Sequence, residues 1–177
     1  MRMGVQSPQV KVLAVDRKAS FPPVAAPDTR VLILGSLPGE ASLAAGRYYA
    51  HPQNRFWRLV GAVIDQDLAP LEYDARLEAL LSAQIGLWDT VASARREGSL
   101  DGALRAVDGN ALDELVASLP ALCAIGFNGA TAAKIGRRAL GRTPLALIDL
   151  PSSSPAHARM TLEEKAERWK SLREFLV

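Results

Sequence analysis

Apolar residues fall along this chain in two alternating patterns. Short unbroken runs occur at Val31-Leu32-Ile33-Leu34, Ile85-Gly86-Leu87-Trp88, Leu122 to Phe127 and Leu145 to Leu150. Their length and continuity predict buried strands. Between them the spacing becomes helical. Gln53 to Asp65 places Phe56, Leu59, Val60, Val63 and Ile64 on one face, with Pro52 before it to suit a helix start. Leu71 to Gln84 reads as a second amphipathic helix, Ala111 to Leu119 as a helix stopped before Pro120, and Gly129 to Leu140 as another. The last helix opens on Thr161-Leu162-Glu163-Glu164, a capping-box pattern, and its apolar face is Leu162, Ala166, Trp169, Leu172 and Phe175. Trp169 is therefore expected in the core. Strands alternating with helices predict an α/β fold of three layers, with a mostly parallel sheet covered on both faces. Residues 1–28, with Phe21-Pro22-Pro23 and Pro27, read as an irregular N-terminal arm, and residues 29–177 as a single domain. No internal repeat is visible.

Composition narrows the class. The 177 residues are 49% hydrophobic and 23% charged, a globular balance with enough length for a core. The longest apolar runs stop short of a membrane span, and no secretory apolar segment stands at the N-terminus, so no membrane role and a cytoplasmic location are expected. The single cysteine, Cys123, excludes an intrachain disulfide and a four-cysteine metal or cluster site, and reads as a buried strand thiol. Net charge is only +2, but it is unevenly spread. Lys134, Arg137, Arg138 and Arg142 form an acid-free stretch, Arg55 and Arg58 follow the first candidate motif, and Arg159 follows the second. Acids collect in Asp65 to Glu78 and Asp108 to Glu114. Two readings stand: a basic face for a nucleic acid, or an ordinary solvated helix face.

The chemistry gathers at strand ends, where open α/β sheets place their sites. Both histidines of the chain fall there. Gly35-Ser36-Leu37-Pro38-Gly39 must turn sharply after its strand and can aim backbone N–H groups at an acceptor; it lacks the lysine and spacing of a P-loop. Tyr48-Tyr49 beside His51, Asn54 and Arg55 sets flat rings next to amide and cationic groups, as suits stacking on a base and meeting phosphate. The competing reading makes Tyr49 core and Asn54 a cap of the following helix. Ser152-Ser153-Ser154, between Pro151 and Pro155, can donate to phosphates; alternatively a serine acts as nucleophile with His157 as base, although no Gly-x-Ser-x-Gly elbow is present.

These segments resemble the uracil-DNA glycosylase superfamily. Ala50-His51-Pro52-Gln53-Asn54-Arg55-Phe56-Trp57 is similar to a segment of the mismatch-specific enzymes. The fuller series is most similar to the hypoxanthine-DNA (deoxyinosine) glycosylase family: Gly35 to Gly39, Gly86-Leu87-Trp88-Asp89, Arg96-Glu97-Gly98-Ser99-Leu100-Asp101, Gly126-Phe127-Asn128-Gly129 and Leu150-Pro151-Ser152-Ser153-Ser154-Pro155-Ala156. The matches run from about Phe21 to Ala158. The resemblance implies a four-stranded parallel sheet flanked by helices. It also implies an enzyme that flips a deaminated base, hypoxanthine and/or uracil, out of DNA and hydrolyses its glycosidic bond. The alternatives are a uracil or mismatch glycosylase and a damage-binding protein without catalysis.

Residue by residue, the resemblance implies the following roles. Leu37 stands where mismatch-specific enzymes have a catalytic asparagine and uracil-specific ones an aspartate, so Asn54 becomes the catalytic amide. Backbone N–H groups of Ser36, Leu37 and Gly39 would stabilise charge on the departing base. Tyr49 would stack on the base, with Phe56 beside it, and Asp89 falls where other members carry a base-reading asparagine. Ser152, Ser153, Ser154, His157, Arg55 and Asn128 would contact the DNA, the serine loop gripping the strand and supplying a wedge. His157 replaces the asparagine usual in the last loop, either to contact base or phosphate or as an exposed change. No metal or cofactor is implied, no lysine stands at either motif for a lyase step, and a monomer acting on damaged DNA is expected.

Overall fold

The computed structural model describes residues 16–177. Four parallel strands form its centre: β2 (Val31–Gly35), β3 (Ile85–Asp89), β6 (Ala124–Asn128) and β7 (Ala146–Leu150), in the order β3-β2-β6-β7. The unbroken apolar run of β2 follows from burial on both faces. Val31 and Ile33 point to one side and Leu32 and Leu34 to the other, and all four are fully buried. The first face packs on α2 (Phe56–Ile64), α3 (Tyr73–Ser82) and α6 (Leu162–Trp169), with Phe56, Leu59, Leu80 and Trp169 fully buried between the layers. The second packs on α4 (Leu112–Ala117) and α5 (Ala130–Leu140) through Leu112, Leu119, Phe127 and Ala132. The three layers are those expected. Thr161 caps α6 in a complete capping box with Glu164, and Trp169 is fully buried.

Four features depart from the sequence reading. A second, antiparallel sheet joins β1 (Arg17–Ala19), β4 (Val91–Arg95) and β5 (Arg105–Gly109), in the order β1-β4-β5. It has little apolar alternation, and every residue of β5 is exposed, so no period marks it. Its strands are held by partners 70 or more residues away in the case of β1 and β4. The arm is thus not wholly irregular: Arg17 to Ala19 is a strand, and Val24 pairs with Leu87 along the outer edge of β3. Tyr48 Oη donates to the Pro22 carbonyl and Trp88 Nε1 to that of Phe21, which covers the edge of the main sheet. The first half of the arm lies outside the described residues. A short helix, α1 (Glu40–Ala45), follows the Gly35 loop directly. Cys123 precedes β6 rather than lying in it, is half-buried, and donates to the Ala121 carbonyl.

Because β2, β3, β6 and β7 run parallel, Gly35, Asp89, Asn128 and Leu150 all arrive at one edge. The chain passes from β2 to β3 on one side and returns to β6 on the other. The crevice between β2 and β6 is therefore the switch point at which such sheets bind ligands.

Candidate active site

A cavity of about 440 Å³ opens at that switch point. The loop after β2, the segment from Tyr48 to Asn54, the end of β3, the Ser99–Asp101 segment, Asn128 and the Ser152–His157 loop all line it. Two stretches more than 100 residues apart in sequence thus meet around one space.

The first loop is held from behind by a residue that the sequence reading quoted only as part of a pattern. Arg96 is 1% exposed and has no carboxylate in contact. Its guanidinium donates to the carbonyls of Gly98 (2.8 Å), Leu37 (3.3 Å) and Pro38 (2.5 Å). A trans peptide points its N–H opposite to its carbonyl, so fixing the Pro38 carbonyl turns the Gly39 N–H away from Arg96. No acceptor among the described residues takes up the N–H groups of Leu37 and Gly39. Ser36 Oγ donates to Asp101 Oδ1 at 2.6 Å, and the Glu40 N–H donates to Ser99 Oγ at 2.9 Å. Burial pushes the Arg96 pKa down, against the opposing pull of Asp101, Glu40 and Asp89.

The floor is built from Tyr49, Asp89 and Asn128. Tyr49 has φ of 53°, a left-handed conformation uncommon for a bulky residue and characteristic of constrained sites. Its ring stacks on Phe56, with centroids 3.8 Å apart and planes 10° from parallel. Phe56 itself is fully buried and does not line the cavity. The expectation that Phe56 touches a base is corrected accordingly: on α2 it faces the core, and it presents Tyr49 to the pocket. Asp89 is 3% exposed, and its Oδ2 has no partner among the described residues. Its Oδ1 lies so near Gly35 that a Cβ there would sit 2.6 Å away. Burial, reinforced by Asp101 and opposed by Arg96, pushes Asp89 up to about 7. Asn128 ties the floor to the far loop. Its Nδ2 donates to Ser153 Oγ (2.9 Å) and Tyr49 Oη (3.3 Å), and its Oδ1 accepts the Ser153 N–H (2.9 Å).

Asn54 lines the cavity and accepts the Phe56 N–H at 2.9 Å. Asn54 thus serves the first N–H of α2 from one residue before the N-cap, Arg55, and is at the same time a wall of the pocket. The second lone pair of its oxygen and both N–H bonds of its amide are left for a ligand. The Arg55 N–H donates to the Ser153 carbonyl, while its exposed side chain lies outside the lining. Ser152 and Ser154 use their hydroxyls to accept N–H groups within their own loop, and no hydrogen bond joins either to the His157 ring. That geometry gives no support to a serine nucleophile. His157 is half-buried on the lining with Nδ1 unpartnered among the described residues, which removes the reading of an exposed change. Lys165 of α6 is 4% exposed and donates to the carbonyls of Ser152 and His157, each at 2.7 Å. Burial, with nearby Arg55, lowers its pKa. No cluster of metal-ligating side chains occurs among the described residues.

The family model for the uracil DNA glycosylase superfamily matches residues 22–174. The chain belongs to the uracil DNA glycosylase superfamily. A hypoxanthine DNA glycosylase of Methanosarcina barkeri is 39% identical over 155 residues, covering 86% of this chain and 96% of that one. A protein of the same name from Methanosarcina acetivorans is 37% identical, covering 88% and 97%. A solution NMR structure of an M. acetivorans protein named for uracil DNA glycosylase superposes with a TM-score of 0.79 at 36% identity, covering 90% of this chain and 99% of that one.

Within this superfamily member, Leu37 does not project a polar group into the pocket. It is 7% exposed and packs on Val91 and Ala94 of the small sheet. The sequence reading missed Arg96, Lys165 and Asp101 as site residues. A charged residue in a run such as Arg95-Arg96-Glu97 reads as solvated, and only the packing of β4 against the β2 loop buries it.

Proposed function

We propose that this DNA glycosylase takes hypoxanthine, and by the same edge uracil, out of DNA and hydrolyses its N-glycosidic bond to leave an abasic site. The observation that carries the reading is the convergence on one cavity of Tyr49 and Asn54, from the segment before α2, with Asp89, from the end of β3. The names of the relatives support hypoxanthine as the first substrate.

A base inside a duplex is shielded, so the nucleotide must leave the stack. The open face of Tyr49 receives the base, its other face being backed by Phe56. Hypoxanthine presents a ring N–H beside a carbonyl. A protonated Asp89 donates to that carbonyl and accepts the N–H; an ionised one would accept the N–H and repel the carbonyl. Bond cleavage leaves negative charge on the base, and the loop N–H groups of Leu37 and Gly39 stand free to stabilise it. Asn54 orients the attacking water. An amide is a weak base, so its contribution is alignment.

Single-turnover hydrolysis of duplexes carrying one hypoxanthine, uracil or xanthine, with alkali to reveal abasic sites, tests the reading. Hypoxanthine is expected to be cleaved fastest. Asn54→Ala should lower the rate by about 10²–10³-fold with duplex binding kept. Asn54→Ser retains an oxygen for the Phe56 N–H but no amide. It should melt like the parent and still lose activity. Absence of cleavage on all three duplexes by the parent chain would refute the assignment.

A further inference from the structure

The rim of the cavity carries one large apolar side chain in the open. Leu100 is 63% exposed and lines the mouth. The other exposed large apolar residues among the described ones, Leu71, Val107 and Val177, do not line it. Its backbone, by contrast, is pinned on both sides. Gly98 offers its carbonyl to Arg96 and Lys18, Ser99 Oγ accepts from the first-loop N–H of Glu40, and Asp101 accepts from Ser36. The Leu100 carbonyl accepts the Ala103 N–H at 3.1 Å, which begins a tight turn. A single exposed leucine is ordinary on a protein surface; what marks this one is its place on the lining of the pocket and the pinning of the residues on either side of it.

We propose that Leu100 enters the gap left in the duplex when the target nucleotide moves into the cavity. The proposal rests on the reading of the pocket as the seat of an extruded base. An extruded nucleotide leaves a slot walled by the flat apolar faces of its neighbours, and apolar side chains are the groups that enter such slots. The serine loop, expected to supply a wedge, has no long apolar side chain: Pro151 to Ala158 offers prolines, serines, alanines and His157. Leu100 comes instead from the segment bonded to the opposite loop of the pocket, the one that follows β2.

The test compares Leu100→Ala with the parent on a duplex and on a single strand, each carrying one hypoxanthine. Only the duplex has a slot to fill. The duplex-to-single-strand rate ratio should fall on the order of tenfold or more, the factor equivalent to about one lost apolar contact of this size. Leu100→Met should keep the ratio near the parent value. An unchanged ratio, or an equal loss on both substrates, overturns the proposal. A second readout needs no hydrolysis: 2-aminopurine fluorescence beside a tetrahydrofuran abasic analogue should rise with the parent protein and not with Leu100→Ala. If the parent unstacks DNA through Leu100 but cleaves nothing, the wedge stands and the glycosylase reading fails. If it cleaves with no Leu100-dependent unstacking, the wedge alone fails.

Discussion

A carboxyl group with one oxygen unpartnered beneath a pocket is costly to ionise. Asp89 meets Asp101, which raises its pKa, and Arg96, which lowers it without touching it; Tyr49 and Gly35 close the remaining sides. The folded chain therefore holds this proton more tightly than the unfolded chain does. The stability that the neutral acid contributes is present at low pH and is lost as pH rises from near 3.8 to about 7. Asp89→Asn should be the more stable protein at pH 8, by up to about 4 kcal/mol, with the difference closing near pH 4; denaturant unfolding at both pH values checks this. On hypoxanthine DNA, the parent kcat/KM should fall as pH rises through about 7, while Asp89→Asn, which keeps a donor beside an acceptor at every pH, should lose that descending limb. Sequence reasoning placed Asp89 at a strand end but could not give its protonation, which depends on neighbours from other segments. Phe56 and Tyr49 show the same limit. Both are aromatic residues near Asn54, and the positive φ of Tyr49 decides which of them faces the pocket.

At the scale of elements, two of the pocket loops are each held through their carbonyls by one buried cation without a contacting acid among the described residues. Arg96 holds the loop after β2 and Lys165 the loop after β7. A buried charge of this kind is tolerated only when its donors are satisfied, and removing it strands the carbonyls. The two loops serve different parts of the proposed reaction, so their variants should separate. Arg96→Met should lower kcat about a hundredfold with little change in KM, because the N–H groups that meet the departing charge lose their alignment. Arg96→Lys should recover part of that loss. Lys165→Met should chiefly raise KM, since the serine loop is the part proposed to hold the strand. Steady-state kinetics on one duplex substrate distinguishes the two. The amphipathic helices and the central strands were legible because each carries its own period. The small sheet of β1, β4 and β5 was not, because nothing in the three residues Arg17-Lys18-Ala19 signals a partner at Ser93 to Arg95.

The whole molecule decides where its charge can act. α5 begins beside Asn128 at the pocket end, so Arg138 lies about 12 Å along the helix from its start, at 1.5 Å per residue, and Arg142 lies beyond its end. Arg137 pairs with Asp149 at 3.0 Å and lies over the Phe127 ring. The basic stretch that looked like a DNA face therefore runs away from the mouth. Arg55, exposed next to Asn54, lies beside it. Fluorescence anisotropy of a damaged duplex across a salt series should show Arg55→Gln reducing the slope of log K against log salt by about 1, with Arg138→Gln leaving it unchanged. Among the described residues no helix is long and apolar enough to cross a membrane.

Hydrophobic periodicity is a local property, so residue order alone was enough to set the α/β class, the four central strands, the helices between them apart from the short α1, and the strand ends at which chemistry gathers. The resemblance of Gly35 to Gly39 and Leu150 to Ala156 to one family was legible for the same reason, since each motif is contiguous. Burial, protonation and facing depend on segments that meet only after folding. The packing of β4 against the β2 loop made Arg96 a clamp, the switch point between β2 and β6 set Asp89 beside Tyr49, and the pinning of residues 98 to 101 left Leu100 at the mouth. No local pattern encodes those encounters, because each joins side chains whose only common cause is the tertiary fold.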